Sequence, residues 1–322
     1  MLNTLENTVS LINEGKVLLI AGDDTLLSKL PKGKWIGGTT PYFISDEGGM
    51  KTKEKLFVNV LDFAKDFKVN VYGKYNVFQL VEDAFENGLT GLILPFGAEV
   101  TTKYAKEAPD VEELLMHPTV GWVSGYDLDN DTDRVAKVYD GTTGTAYTDK
   151  AVAMHIELPE GKTAVINIVN IFEDDKTDPV ITFPDNELEV TKCCVNGQEI
   201  NFAEYIEKKG INTQMPLVAD YNGVYINTSI KSVENGKVGL YAPVFKGHAY
   251  RFATLVTDYA GKFKNKIDAA GATHPFFSCN CILNYLFGEL EGKKTPPYAG
   301  PITFGEIAYQ LINQTLVYCE IE

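Results

Sequence analysis

The chain has 322 residues, 44% hydrophobic and 11% aromatic, enough apolar material for a sizeable core and too much for a disordered polymer. With 44 acidic against 29 basic residues the formal net charge is −15, a field that repels phosphate backbones and anionic lipid. Nucleic acid and membrane surfaces are therefore excluded as expected partners, and the length suggests about two domains.

In chain order, K-V-L-L-I-A-G (16–22) is a short apolar strand ending in Gly-Asp, and D-T-L-L-S-K-L (24–30) follows with helical spacing. K-W-I-G-G-T-T-P-Y-F-I (34–44) reads as strand, glycine turn, strand. Period-two alternation predicts strands at 55–63 and 67–73, and the pattern at 77–88 predicts an amphipathic helix stopped by Asn-Gly. A buried strand is expected at 90–96. From about residue 135 hairpins take over: 152–158 and 163–172 flank P-E-G-K and are expected to pair antiparallel. Asn-Gly steps at 196–197 and 235–236 predict tight hairpins, with a helix at 202–209 after the first. A further helix is expected over 255–270, then a strand through F-F-S-C-N-C. Pro301 to Tyr309 alternates like a strand, while Thr303 and Glu306 also fit a helix capping box; N-Q-T is a turn into a terminal strand.

The amino terminus lacks a basic region followed by an apolar one, and no stretch approaches the ~18 apolar residues of a membrane span, so a cytoplasmic protein is expected. Five cysteines, an odd number with one vicinal pair, fit reduced thiols better than a disulfide framework. E-G-K-T lacks the leading glycine of a phosphate loop, and no G-x-S-x-G elbow occurs. D-L-D-N-D-T-D places Asp127, Asp129 and Asp131 at the first ligand offsets of a calcium loop, but the positions for the glycine and the closing glutamate are Thr132 and Val138. No cofactor is expected. Cys279 is a nucleophile in an enzyme reading, with His274 or His248 as base. The bend G-G-T-T-P offers backbone amides for a small anion, or is a plain tight turn.

F-F-S-C-N-C (276–281), G-P-I-T-F-G-E-I (300–307) and N-Q-T-L-V (313–317), in that order, resemble the end of the FIST domain, named for F-box and intracellular signal-transduction proteins. The likeness extends over 120–322 and is weaker over 16–119. It implies a bacterial sensory module that binds small molecules, amino acids among them. Its output domain is expected on another chain, a signalling protein in trans.

The expectation is thus an α+β protein of two lobes with mixed or antiparallel sheets, an amino-terminal half at 1–180 and a carboxyl-terminal half at 181–322. Its function is non-catalytic binding of a small ligand. Gly37, Gly38 and Thr39 are expected to meet an anion, Glu306 a cationic amine, and Asn280 and Asn313 neutral polar atoms, all facing one hollow.

Overall fold

The computed structural model describes residues 1–130, 132, 134–221, 224–271 and 275–322. The strand Leu18–Gly22 is buried at every position, as its unbroken apolar run requires of a strand covered on both faces. Asp23 ends it. Its side chain caps the short helix Asp24–Leu27, and the chain returns parallel to the first strand as Trp35–Thr39. A parallel pair cannot be closed by a tight hairpin, so a crossover is obligatory. The same device joins Gly88–Pro95 to Thr119–Ser124 through the helix Glu99–Glu107. It also joins Phe277–Cys281 to Gly300–Thr303 through the helix Ile282–Phe287.

These pairs are the centres of three six-stranded mixed sheets. The first places Leu56–Val60 and Val138–Asp140 on either side of the Leu18 and Trp35 strands. The second runs Gln310–Ile312, Glu306–Ala308, Thr119–Ser124, Gly88–Pro95, Ala151–Glu157, Asp66–Tyr72. The third sets Leu316–Ile321 and Tyr42–Ser45 against the Phe277 and Gly300 strands. Leu18, Ile20, Leu27, Trp35, Leu56 and Val58 form one apolar cluster of this region. The fold is α+β.

Two compact units result, but they are not consecutive halves. The first comprises 1–168, 271–311 and 316–322; the second is 169–270 with 312–315. The second holds an antiparallel six-stranded sheet and a three-stranded one, with the helix Phe202–Lys209 packed into its core through Phe202, Ala203 and Ile206. Both Asn-Gly hairpins form as expected, with Asn196 and Asn235 at positive φ beside Gly197 and Gly236.

Other expectations are corrected. The 77–88 segment is a 3-10 turn, Val77–Leu80, followed by further turns. Asp83 there accepts from Asn70 Nδ2 at 2.8 Å and the Tyr72 hydroxyl at 2.6 Å, tertiary bonds that a short isolated helix does not outcompete. The strands at 152–158 and 163–172 do not pair with each other. Ala151–Glu157 already has Asp66–Tyr72 on one edge and Gly88–Pro95 on the other, so no free edge remains. Residues 303–306 form no helix, and the capping-box alternative falls: Gly300–Thr303 and Glu306–Ala308 are strands.

Candidate functional site

A cleft of about 160 Å³ opens at the carboxyl ends of the Leu18 and Trp35 strands. That end of a parallel pair is where the chain leaves the sheet and side chains can converge around a ligand. Asp23 and Asp24 come from the first strand's exit, Thr39 and Thr40 from the second's, and Asp127, Lys53, Tyr126 and Asn130 from neighbouring loops.

Each polar group has a defined state. One Asp23 carboxylate oxygen accepts from the Thr25 amide at 3.0 Å and the Thr25 hydroxyl at 2.6 Å; its second oxygen has no partner among the described residues. Asp24 takes the Lys137 ammonium at 2.8 Å and the Tyr139 hydroxyl. Thr39 donates to the Gly125 carbonyl at 2.6 Å and accepts from the Lys137 amide at 2.9 Å. Asp127 sits between Lys51 at 2.5 Å and Lys53 at 2.8 Å. Burial alone raises the Asp127 carboxyl, but the two lysines and the Asp129 amide override it and hold it down at about 2. The cleft therefore presents fixed charges of both signs.

Of the residues singled out in the sequence, Thr39 and Asp127 line this cleft. Gly37 and Gly38 lie in mid-strand, between the Leu18 strand and Val138–Asp140, so their amides face ladder partners and not a turn. The Thr39 amide donates to the Lys137 carbonyl at 3.0 Å. Gly38 is glycine for packing: a Cβ there would stand 2.7 Å from Ile93 Cγ2 and 2.8 Å from Trp122 Nε1.

Glu306 is fully buried and is the cross-strand partner of Trp122, so both side chains leave the same sheet face. Gly38 and Glu306 thus share Trp122 as a neighbour, its indole nitrogen 2.8 Å from where a Gly38 Cβ would stand. Asn280 is also buried. Its side-chain Oδ1 accepts from Asn284 Nδ2 at 2.8 Å, and its side-chain Nδ2 has no partner among the described residues. Asn313 belongs to the second unit, where its carbonyl oxygen accepts from the Ser229 amide at 3.2 Å and the Ser229 hydroxyl at 2.8 Å.

Cys279 is 1% exposed, and burial, then Glu306 nearby, pushes its thiol well above the ordinary value. That is the reverse of an activated nucleophile. His248, its proposed base, is stacked on Tyr221 in the second unit, ring centroids 4.1 Å apart. His274 and Asp131 lie outside the described residues. Asp127 and Asp129 share the Lys51 ammonium, so lysine takes the place expected for calcium. Among the described residues no group of three or more His, Cys, Asp or Glu side chains could hold a metal. No helix among them is long and apolar enough to cross a membrane.

Sequence reasoning missed Asp23, Asp24, Lys53 and Lys137. The signal was present in L-L-I-A-G-D-D-T, an apolar strand running into paired acids, but only the parallel return of Trp35–Thr39 makes that exit a cleft.

Residues 3–322 match a family of unknown function, DUF6976. The chain belongs to that family. No curated protein matches this DUF6976 member. Nothing in these comparisons links the DUF6976 chain to FIST domains, so the match names a lineage and leaves the chemistry to the site.

Proposed function

We propose that this DUF6976 protein binds a small zwitterion, such as an amino acid, without catalysis, in the cleft at the ends of the Leu18 and Trp35 strands. The observation that carries the reading is the pairing of an unoccupied Asp23 carboxylate oxygen with the Lys53 ammonium in the lining of one small concavity. An ammonium group meets Asp23, and a carboxylate meets Lys53, which Asp127 holds in place. About 160 Å³ is the share of about five water molecules, well below a drug-sized pocket. Only a compact ligand fits.

Among the described residues no cysteine or histidine lines the cleft, which favours binding over turnover. A sensory role, with a signalling partner on another chain, rests on the motif likeness to FIST domains alone, and a cytoplasmic setting rests on the amino-terminal pattern and the cysteine usage.

Thermal unfolding in the presence of single amino acids and small carboxylates tests this. A ligand at one hundred times its Kd stabilises by about 2.7 kcal/mol, and both Asp23→Asn and Lys53→Gln should remove the shift. A panel in which no compound raises the transition, or a shift that both variants retain, ends the reading.

A further inference from the structure

The second unit carries a separate groove of about 580 Å³ along the helix Phe202–Lys209 and the hairpin preceding it. Its lining is part polar and part apolar. Val195 and Ile200 are half-buried side chains packed against the unit's core, and Pro179 extends the surface they form. Tyr205, also half-buried against that core, makes one wall. Lys208 and Lys209 stand at i+3 and i+4 from Tyr205, so both ammonium groups rise on the helix face that carries the ring.

Neither lysine is in an ion pair among the described residues, whereas Lys192 and Lys237 of the same unit hold Glu199 at 2.7 Å and Glu189 at 2.5 Å. Glu204 also lines the groove, one helical turn before Lys208, yet holds neither ammonium. Two lysines in a last helical turn are accounted for by the helix dipole. The dipole does not account for the apolar side chains that line the same groove.

We propose that this groove binds an amphipathic carboxylate, its apolar body on Val195, Ile200 and Tyr205 and its anionic head between Lys208 and Lys209. The volume lies within the range of about 300–1,000 Å³ typical of small-molecule sites. Long lysine stems cover apolar surface while their charged ends stay in water, so the head group binds at the rim and the chain below it.

Calorimetric titration of the full chain with octanoate, octanol and acetate separates the contributions. Octanoate should bind saturably, octanol at least tenfold more weakly, and acetate not measurably. The double variant K208Q/K209Q should bring octanoate down to the level of octanol, and Ile200→Thr should weaken both. Asp23→Asn, in the other unit, should change nothing. Equal binding of octanoate and octanol to the unaltered protein overturns the proposal. So does octanoate binding that survives the double lysine variant, disappears with Asp23→Asn, or fails to saturate.

Discussion

His155 is sealed between the Tyr72 hydroxyl, 2.8 Å from Nε2, and the Thr90 hydroxyl, 2.9 Å from Nδ1. Tyr72 spends its only proton on Asp83, so it accepts from Nε2–H, and Thr90 donates to Nδ1. The neutral imidazole is satisfied at both nitrogens. Burial, with smaller effects from Lys68 and His117 and opposed by Asp83, lowers the group from 6.5 to about 4. Because the folded value lies below the unfolded one, the unfolded chain takes up the proton first. This contribution is therefore complete above about pH 6.5 and is lost as the pH falls toward 4. Between pH 7 and pH 5 it should remove about 2 kcal/mol, read as urea unfolding free energy. His155→Gln should flatten that part of the pH dependence whatever it does to stability at pH 7; an unchanged slope would show that His155 is not its source.

Among the elements, the Trp35–Thr39 strand has glycines that are explained by what faces them. Gly38 lies under Ile93 and the Trp122 indole, so Gly38→Ala is an overpacking change. It should cost about 1–3 kcal/mol, seen as a lower denaturant midpoint with an unchanged slope. If the glycines served a ligand through their amides, alanine would lower affinity and leave stability intact. Gly37-Gly38 was legible as a special backbone position but not as a packing one, because Ile93 and Trp122 lie far along the chain. The hairpins at Asn196-Gly197 and Asn235-Gly236 were legible in full. Their geometry is written in adjacent residues: positive φ at both centres suits Asn-Gly and few other pairs. The helix expected at 77–88 shows the opposite case, in which Asp83 is drawn away by side chains of the Asp66–Tyr72 strand.

For the whole molecule, the chain order of the two units matters most. Residues 312–315 complete a unit otherwise made of 169–270, and Asn313 is the fastening, its carbonyl oxygen shared by the Ser229 amide and hydroxyl. Asn313→Ala should leave the buried Ser229 amide unsatisfied at a cost of about 1–3 kcal/mol. Amide exchange in Leu217–Tyr221 and Lys237–Val244 should accelerate, and Asn313→Asp, which keeps the acceptor, should recover part of the protection. Unaltered exchange there would mean that the fastening is made elsewhere.

What the sequence determined by itself was local: the strand periods, the Asn-Gly turns, the helix at 202–209, the α+β class and the acidic field. Backbone sterics and apolar periodicity act within a few residues, so a single chain displays them. Tertiary structure alone decided that Gly38 lies under Trp122, that Glu306 is walled in, and that Asp23 and Lys53 line one cleft. Those outcomes depend on which strands become neighbours. Partners distant along the chain settle that choice through competition for sheet edges and burial, and no short stretch of residues contains it.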